Sequence, residues 1–202
     1  MVMKGKDPIN SGDAIDSFRT AGFNVGSAIC EIIDNSVEAD STSIEIIVKY
    51  LPKKLNQKWP RIEKFVFIDN GHGMNNDILH NCLVLGEGTK KLSSKGIGKF
   101  GVGATLAGIS QARFLGIYSK IKTGKWLYAQ LDLDLLNEGT GILDPVEKQP
   151  PDEYTKNLDD QGTIVIWEKV DGGETQKDME EATNKIGRIY RKFISKKKIE
   201  DG

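Results

Sequence analysis

The chain has 202 residues, 38% hydrophobic and 28% charged, enough to bury about 70% of its unfolded surface around one core and too apolar to be disordered throughout. Lys and Arg total 28 against 29 Asp and Glu, a net charge of -1, which excludes a general polyanion-coating protein but not a local basic patch. No apolar run is long enough for a transmembrane helix, and residues 1–10 lack a signal-peptide core. The two cysteines, Cys30 and Cys82, predict reduced thiols in a cytoplasmic protein without membrane contact.

In chain order, Ala28, Ile29, Ile32, Ile33 and Val37 keep helical spacing and predict a helix over 24–40. β-Branched residues predict a strand over 44–51, closed by Pro52. A polar turn with Pro52 and Pro60 leads to a second strand over 62–68, then to a turn, Asp69-Asn70-Gly71-His72-Gly73. A helix is expected over 76–85. Residues 86–103 hold six glycines and four lysines, the composition of a mobile loop. A short helix over 104–110 follows, then a strand pair, 113–120 and 126–133, around Thr123-Gly124. Residues 137–161, with Pro145, Pro150 and Pro151, read as a surface excursion. A strand over 163–170 and a helix over 174–195, striped by Met179, Ala182, Ile186, Ile189 and Phe193, end the chain. There is no internal repeat. The expected fold is one α+β domain over 1–202, with its core over about 10–195: a two-layer sandwich with helices on one face of a mixed, mostly antiparallel sheet.

Four groups of residues carry chemistry. Glu31, Asn35 and Glu38 share one helix face by their spacing. Apolar neighbours desolvate Glu31, as suits a general base for water, and Asn35 offers a neutral oxygen to a Mg²⁺ shared with phosphates. The same spacing fits a plain polar stripe on a surface helix. Asp69 ends a very apolar strand, where its carboxylate can accept from an exocyclic amine such as that of adenine. Gly71 and Gly73 let backbone approach a base, or serve only the turn. Gly96-Ile97-Gly98-Lys99-Phe100-Gly101-Val102-Gly103 before a helix can form an anion nest. Lys90, Lys91, Lys95 and Lys99 can neutralise polyphosphate there. Neither a P-loop nor a dinucleotide fold fits its context. Last, Thr163 enters a buried strand, as a purine contact or as an ordinary strand residue.

The order Cys30-Glu31-Ile32-Ile33-Asp34-Asn35-Ser36, Asp69-Asn70-Gly71-His72-Gly73-Met74, Gly98-Lys99-Phe100-Gly101-Val102-Gly103, Gly162-Thr163 resembles the GHKL superfamily: gyrase B, the 90-kDa heat-shock chaperone, histidine kinases and MutL. Phe100 to Gly103 looks most like the chaperone. The Glu31 to Ser36 run and Ser119-Lys120 look more like MORC-type ATPases. The resemblance implies the Bergerat ATP-binding fold. Carried over, it makes Glu31 the catalytic base and Asn35 the Mg²⁺ holder. It sets Asp69 on the adenine amine, with Thr163 supporting through water, and places Gly71, Gly73 and Met74 about the base. Lys95, Gly98, Lys99, Phe100, Gly101, Val102 and Gly103 would bind the phosphates, within a lid over 86–103.

The implied function is Mg²⁺-dependent binding and slow hydrolysis of ATP by the ATPase domain of a chaperone-, MORC- or MutL-like machine, with lid closure and ATP-dependent homodimerisation. ADP would bind the same site. The alternative is a clamp or scaffold that senses nucleotide without turnover. Histidine kinase is the weak branch, because the phospho-acceptor module is missing. In related families a following transducer domain supplies a cation to the reaction. The chain stops at Gly202, where such a domain would begin, so weak turnover is expected. His72 is expected to face solvent, and His80 and Cys82 lack zinc spacing. Residues 188–198 carry six basic side chains and no acidic one, a solvated helix end or a contact for a DNA or protein client.

Overall fold

The run Phe65-Val66-Phe67-Ile68 is apolar at every position, which suits a strand covered on both faces. In the computed structural model, which describes residues 11–20, 22–85, 103–137 and 141–192, both faces are covered. The element order is α1 (Ser11–Arg19), α2 (Val25–Glu38), β1 (Ile44–Tyr50), β2 (Ile62–Asp69), α3 (Asn76–Asn81), α4 (Gly103–Gln111), β3 (Ala112–Lys120), β4 (Leu127–Asp132), α5 (Leu133–Asn137), β5 (Val146–Glu147), β6 (Gly162–Val170) and α6 (Gln176–Ile189). The strands form one sheet in the order β1-β2-β6-β3-β4-β5. Every pairing among them is antiparallel, which corrects the mixed sheet expected from sequence. The fold is the expected α+β sandwich.

The main core lies between the sheet and the helices. Ala28, Ile29, Ile32 and Ile33 of α2 pack there against Phe65, Phe67, Leu115 and Trp167. The Trp167 ring meets Phe67 edge-on at 4.6 Å and Phe65 at 5.6 Å between centroids. Burying each such ring stabilises the fold by about 1.5–3 kcal/mol. α2 packs on both α4 and α6. A second cluster (Val66, Ile68, Tyr118, Trp126, Ile164, Ile166) lies on the opposite face of the sheet.

That second cluster alters the reading of residues 137–161. Tyr154, on a 3-10 turn over Asp152–Tyr154, is buried in it, and Leu158 packs beside it. Residues 141–161 of the excursion are therefore a cover over the outer face, pinned by β5 pairing with β4 and by the Lys148 ammonium over the Tyr128 ring at 4.1 Å.

Several element boundaries differ from the sequence reading. α1 was not expected; Arg19 at its end donates to the Ile109 carbonyl at 2.7 Å and pairs with Asp171. α3 stops at Asn81, because residues 82–84 turn back with Leu83 N–H on the His80 carbonyl, which buries Leu83. β4 stops at Asp132, whose carboxylate accepts from the Asp134 amide at 3.0 Å and opens α5. α6 starts one residue after Thr175, which forms a capping box with Asp178. Its expected stripe breaks at Ile189, 51% exposed, and Phe193 lies outside the described residues. Among the described residues, no helix is long and apolar enough to cross a membrane.

Candidate functional site

Side chains alternate across a strand, so residues 65, 67 and 69 of β2 share one face. The same parity aligns 163, 165 and 167 of β6, and 115, 117 and 119 of β3. The register sets these residues opposite one another in three rows: Phe65–Trp167–Leu115, Phe67–Val165–Ile117 and Asp69–Thr163–Ser119. Two apolar rows thus give way to one polar row at the end of the three central strands, on the face that α2 covers. All three polar residues are buried, so each needs partners.

Asp69 finds them on two sides. Its Oδ1 accepts from the Gly71 amide at 2.9 Å, and Ser36 Oγ of α2 lies 3.1 Å from Oδ2. Burial pushes the Asp69 carboxyl above its ordinary range, with these hydrogen bonds opposing the shift. Ser119 Oγ accepts from the Met74 amide at 2.8 Å and lies 2.9 Å from Thr163 Oγ1. Next to Asp69, Asn70 Oδ1 accepts from the Ser41 hydroxyl and the Thr42 and Ser43 amides, each at 2.9 Å. That ties the end of β2 to the loop leaving α2. Ser36 and Ser119 received no site role from sequence. The available signal was parity, since each of Asp69, Thr163 and Ser119 is a polar residue that follows or precedes two apolar residues of the same parity on its strand (65 and 67, 165 and 167, 115 and 117).

α2 carries the other group. Asn24 and Ser27 form a capping box at its start, worth about 1 kcal/mol. Glu31 is half-buried, while Asn35 and Glu38 are exposed. The Glu31 carboxylate lies against the first residue of α4: a Cβ on Gly103 would fall within the van der Waals surface of Glu31 Oε2. The anion thus meets a helix start, where peptide dipoles leave partial positive charge. Along α2, Glu31 and Ser36 are more than one turn apart, so the buried Asp69 and the Glu31 carboxylate mark two separate zones.

The two turn glycines have reasons within the protein itself. Gly73 has φ +71°, and a Cβ there would strike the Lys120 carbonyl. A Cβ on Gly71 would lie 2.7 Å from Ala39 Cβ. His72 is exposed, its Nδ1 2.8 Å from the Gly73 carbonyl oxygen, as expected. Lys95, Gly98, Lys99, Phe100, Gly101 and Val102, with all of the expected lid over 86–103 except its last residue, lie outside the described residues; Gly103 opens α4.

Among the described residues no group of three or more His, Cys, Asp or Glu could hold a metal ion. Burial pushes the Cys82 thiol up to about 12 and raises that of Cys30, so neither offers a thiolate at neutral pH. His80 Nδ1 lies 3.2 Å from an Asp144 carboxylate oxygen. The donor chemistry of α2 fits a Mg²⁺ that arrives with a phosphate ligand: Asn35 offers one amide oxygen, and Mg²⁺ keeps waters and phosphate oxygens for its other positions.

Comparison with curated proteins gives no match to this chain. A family model described as histidine kinase-, DNA gyrase B- and HSP90-like ATPase matches residues 23–163. That span runs from the start of α2 to Thr163 and so covers Glu31, Asn35, Asp69, Ser119 and the segment between α3 and α4. With the antiparallel sheet and its helical face, the match gives the resemblance read from the four motifs its family: the chain belongs to the histidine kinase-, DNA gyrase B- and HSP90-like ATPases.

Proposed function

We propose that the chain binds ATP with Mg²⁺ beneath α2 and hydrolyses it, Glu31 being the general base. The observation that carries this reading is the pair of carboxylates served by one helix. Asp69 is buried below Ser36, while Glu31 stands against the N-terminus of α4. The first suits a hydrogen-bonding base, and the second lies where a helix start attracts phosphate.

In this reading Asp69 accepts from the adenine amine, and Thr163 serves the neighbouring edge of the base. Gly71, Gly73 and Met74 line the base side. Gly98 to Gly103 wrap the phosphates, with Lys95 and Lys99 offsetting their charge. Asn35 holds the Mg²⁺, which would neutralise charge on the transferring phosphoryl group. Glu31 takes one proton from a water whose oxygen bonds to the γ-phosphorus, and the bond from that phosphorus to the β,γ-bridging oxygen breaks as ADP leaves. We expect nucleotide to drive lid closure and self-association, in the manner of the chaperone, MORC or MutL branches.

The test is Glu31→Ala. ATP affinity by calorimetry should stay within a few-fold of the parent, while phosphate release falls by about 10²–10⁴. Loss of ATP binding along with turnover would make Glu31 structural. ATP binding by the parent chain without any phosphate release would favour the nucleotide-sensing clamp.

A further inference from the structure

Ser119 is fully buried and meets three polar groups through one hydroxyl, one in the turn after β2 and two at the start of β6. That hydroxyl has one proton and two lone pairs. The Met74 amide occupies one lone pair at 2.8 Å. Two oxygens are within reach of the proton: the Gly162 carbonyl at 3.3 Å, which can only accept, and Thr163 Oγ1 at 2.9 Å, a hydroxyl that can accept it or donate in turn. The shorter distance lies within the ordinary range for a hydroxyl–hydroxyl bond, and the longer one lies outside it.

Donation from Ser119 to Thr163 has a consequence one strand away. It fills an acceptor position on Thr163 and leaves the Thr163 proton for another partner. Thr163 stands directly opposite Asp69 in the β2–β6 register, and an ionised carboxylate only accepts. The row then presents an acceptor, Asp69, beside a donor, Thr163. An adenine edge offers the complementary pair, an exocyclic amine that donates and a ring nitrogen that accepts. A guanine edge presents the reverse, a carbonyl oxygen that accepts and a ring N–H that donates.

We propose that Ser119 is the positioning residue for base recognition: it fixes the direction of the Thr163 hydroxyl and the height of the Met74 backbone, and so selects adenine over guanine. The inference rests on the nucleotide-site reading above.

The experiment is a double-mutant cycle on ADP affinity, read by calorimetry, with thermal melts to establish folding. ADP avoids any contribution from hydrolysis. Ser119→Ala should weaken ADP binding about tenfold, the effect of unsatisfying a buried polar group, and should narrow the preference for ADP over GDP. Thr163→Val should do the same. Because Ser119 acts through Thr163, the double variant should bind ADP no more weakly than the worse single variant, whereas independent sites would multiply their losses. Ser119→Thr, which keeps the hydroxyl, should restore most of the affinity. Should Ser119→Ala fail to fold, Ser119→Cys replaces it in the cycle, because a thiol is a similar shape and a weak donor. A merely structural Ser119 would lower the melting temperature and leave both the affinity of the folded protein and its base preference unchanged. Parent-like ADP binding in the variants, or multiplicative losses, would overturn the proposal. A parent chain that binds no ADP would overturn the nucleotide-site reading and this proposal with it.

Discussion

The Glu31 carboxylate occupies the space that a Cβ on Gly103 would fill. Two helices distant in sequence, α2 and α4, therefore meet through an acidic side chain and a residue without one. The glycine is required by this close approach, since Gly103 is an ordinary helical residue in its backbone.

Gly103→Ala should leave the fold intact, because the atom it strikes is the far end of a flexible side chain. It should displace the carboxylate, and misplacing a reacting group by about 1 Å costs on the order of a hundredfold in rate. We expect unchanged melting behaviour with phosphate release reduced to that extent. Parental turnover in this variant would remove Glu31 from the role of base.

Asp69→Asn separates stability from binding. The folded carboxyl titrates above its unfolded value because of burial, so between those two values the folded chain holds a proton that the unfolded chain has released. Stability therefore declines as pH rises through the folded value, and the deficit persists at neutral pH. An amide removes that dependence. The apo variant should be at least as stable as the parent in urea at about pH 7 and should lose its relative advantage near pH 4. Its ADP affinity should fall tenfold to a hundredfold. A variant less stable at neutral than at acid pH, relative to the parent, would contradict the burial argument.

Gly73→Ala and Gly187→Ala should move stability in opposite directions. Gly73 has φ +71° and abuts the backbone carbonyl of Lys120, which cannot swing aside. The left-handed backbone alone costs about 1–2 kcal/mol, and the overlap adds to it. Gly187 lies on the exposed side of α6 with nothing within 4 Å of an added Cβ, so alanine there should stabilise by about 0.5–1 kcal/mol. Urea unfolding midpoints of the two variants test the contrast.

Tyr190 fastens α6 to α2. Its hydroxyl lies 2.6 Å from Asp34 Oδ1 and 3.1 Å from the Cys30 carbonyl, and burial together with the Asp34 carboxylate raises the phenol's pKa, so it remains a donor. Tyr190→Phe keeps the ring and removes the bond. The expected loss is about 1–2 kcal/mol, a melting temperature lower by a few degrees for a chain of this size. An unchanged melting temperature would mean that ring packing alone holds α6.

Local patterns were legible without coordinates. The 3.6-residue spacing of Ala28, Ile29, Ile32 and Ile33 announced the buried face of α2, and the continuous apolar run 65–68 announced a strand covered on both sides. The motif order from Glu31 to Thr163 was enough to indicate the family. What spacing could not give was the company each residue keeps. Asp69, Thr163 and Ser119 lie 94 and 44 positions apart in sequence (69 to 163, 119 to 163), and form one row because β6 inserts between β2 and β3. Strand order is set by which apolar faces must be buried together across the whole sheet, a property of no local window. For the same reason Tyr154 looked like part of a solvated excursion. Its burial depends on the outer face formed by Val66, Tyr118 and Ile164, three residues drawn from three strands, and only the assembled sheet creates that surface.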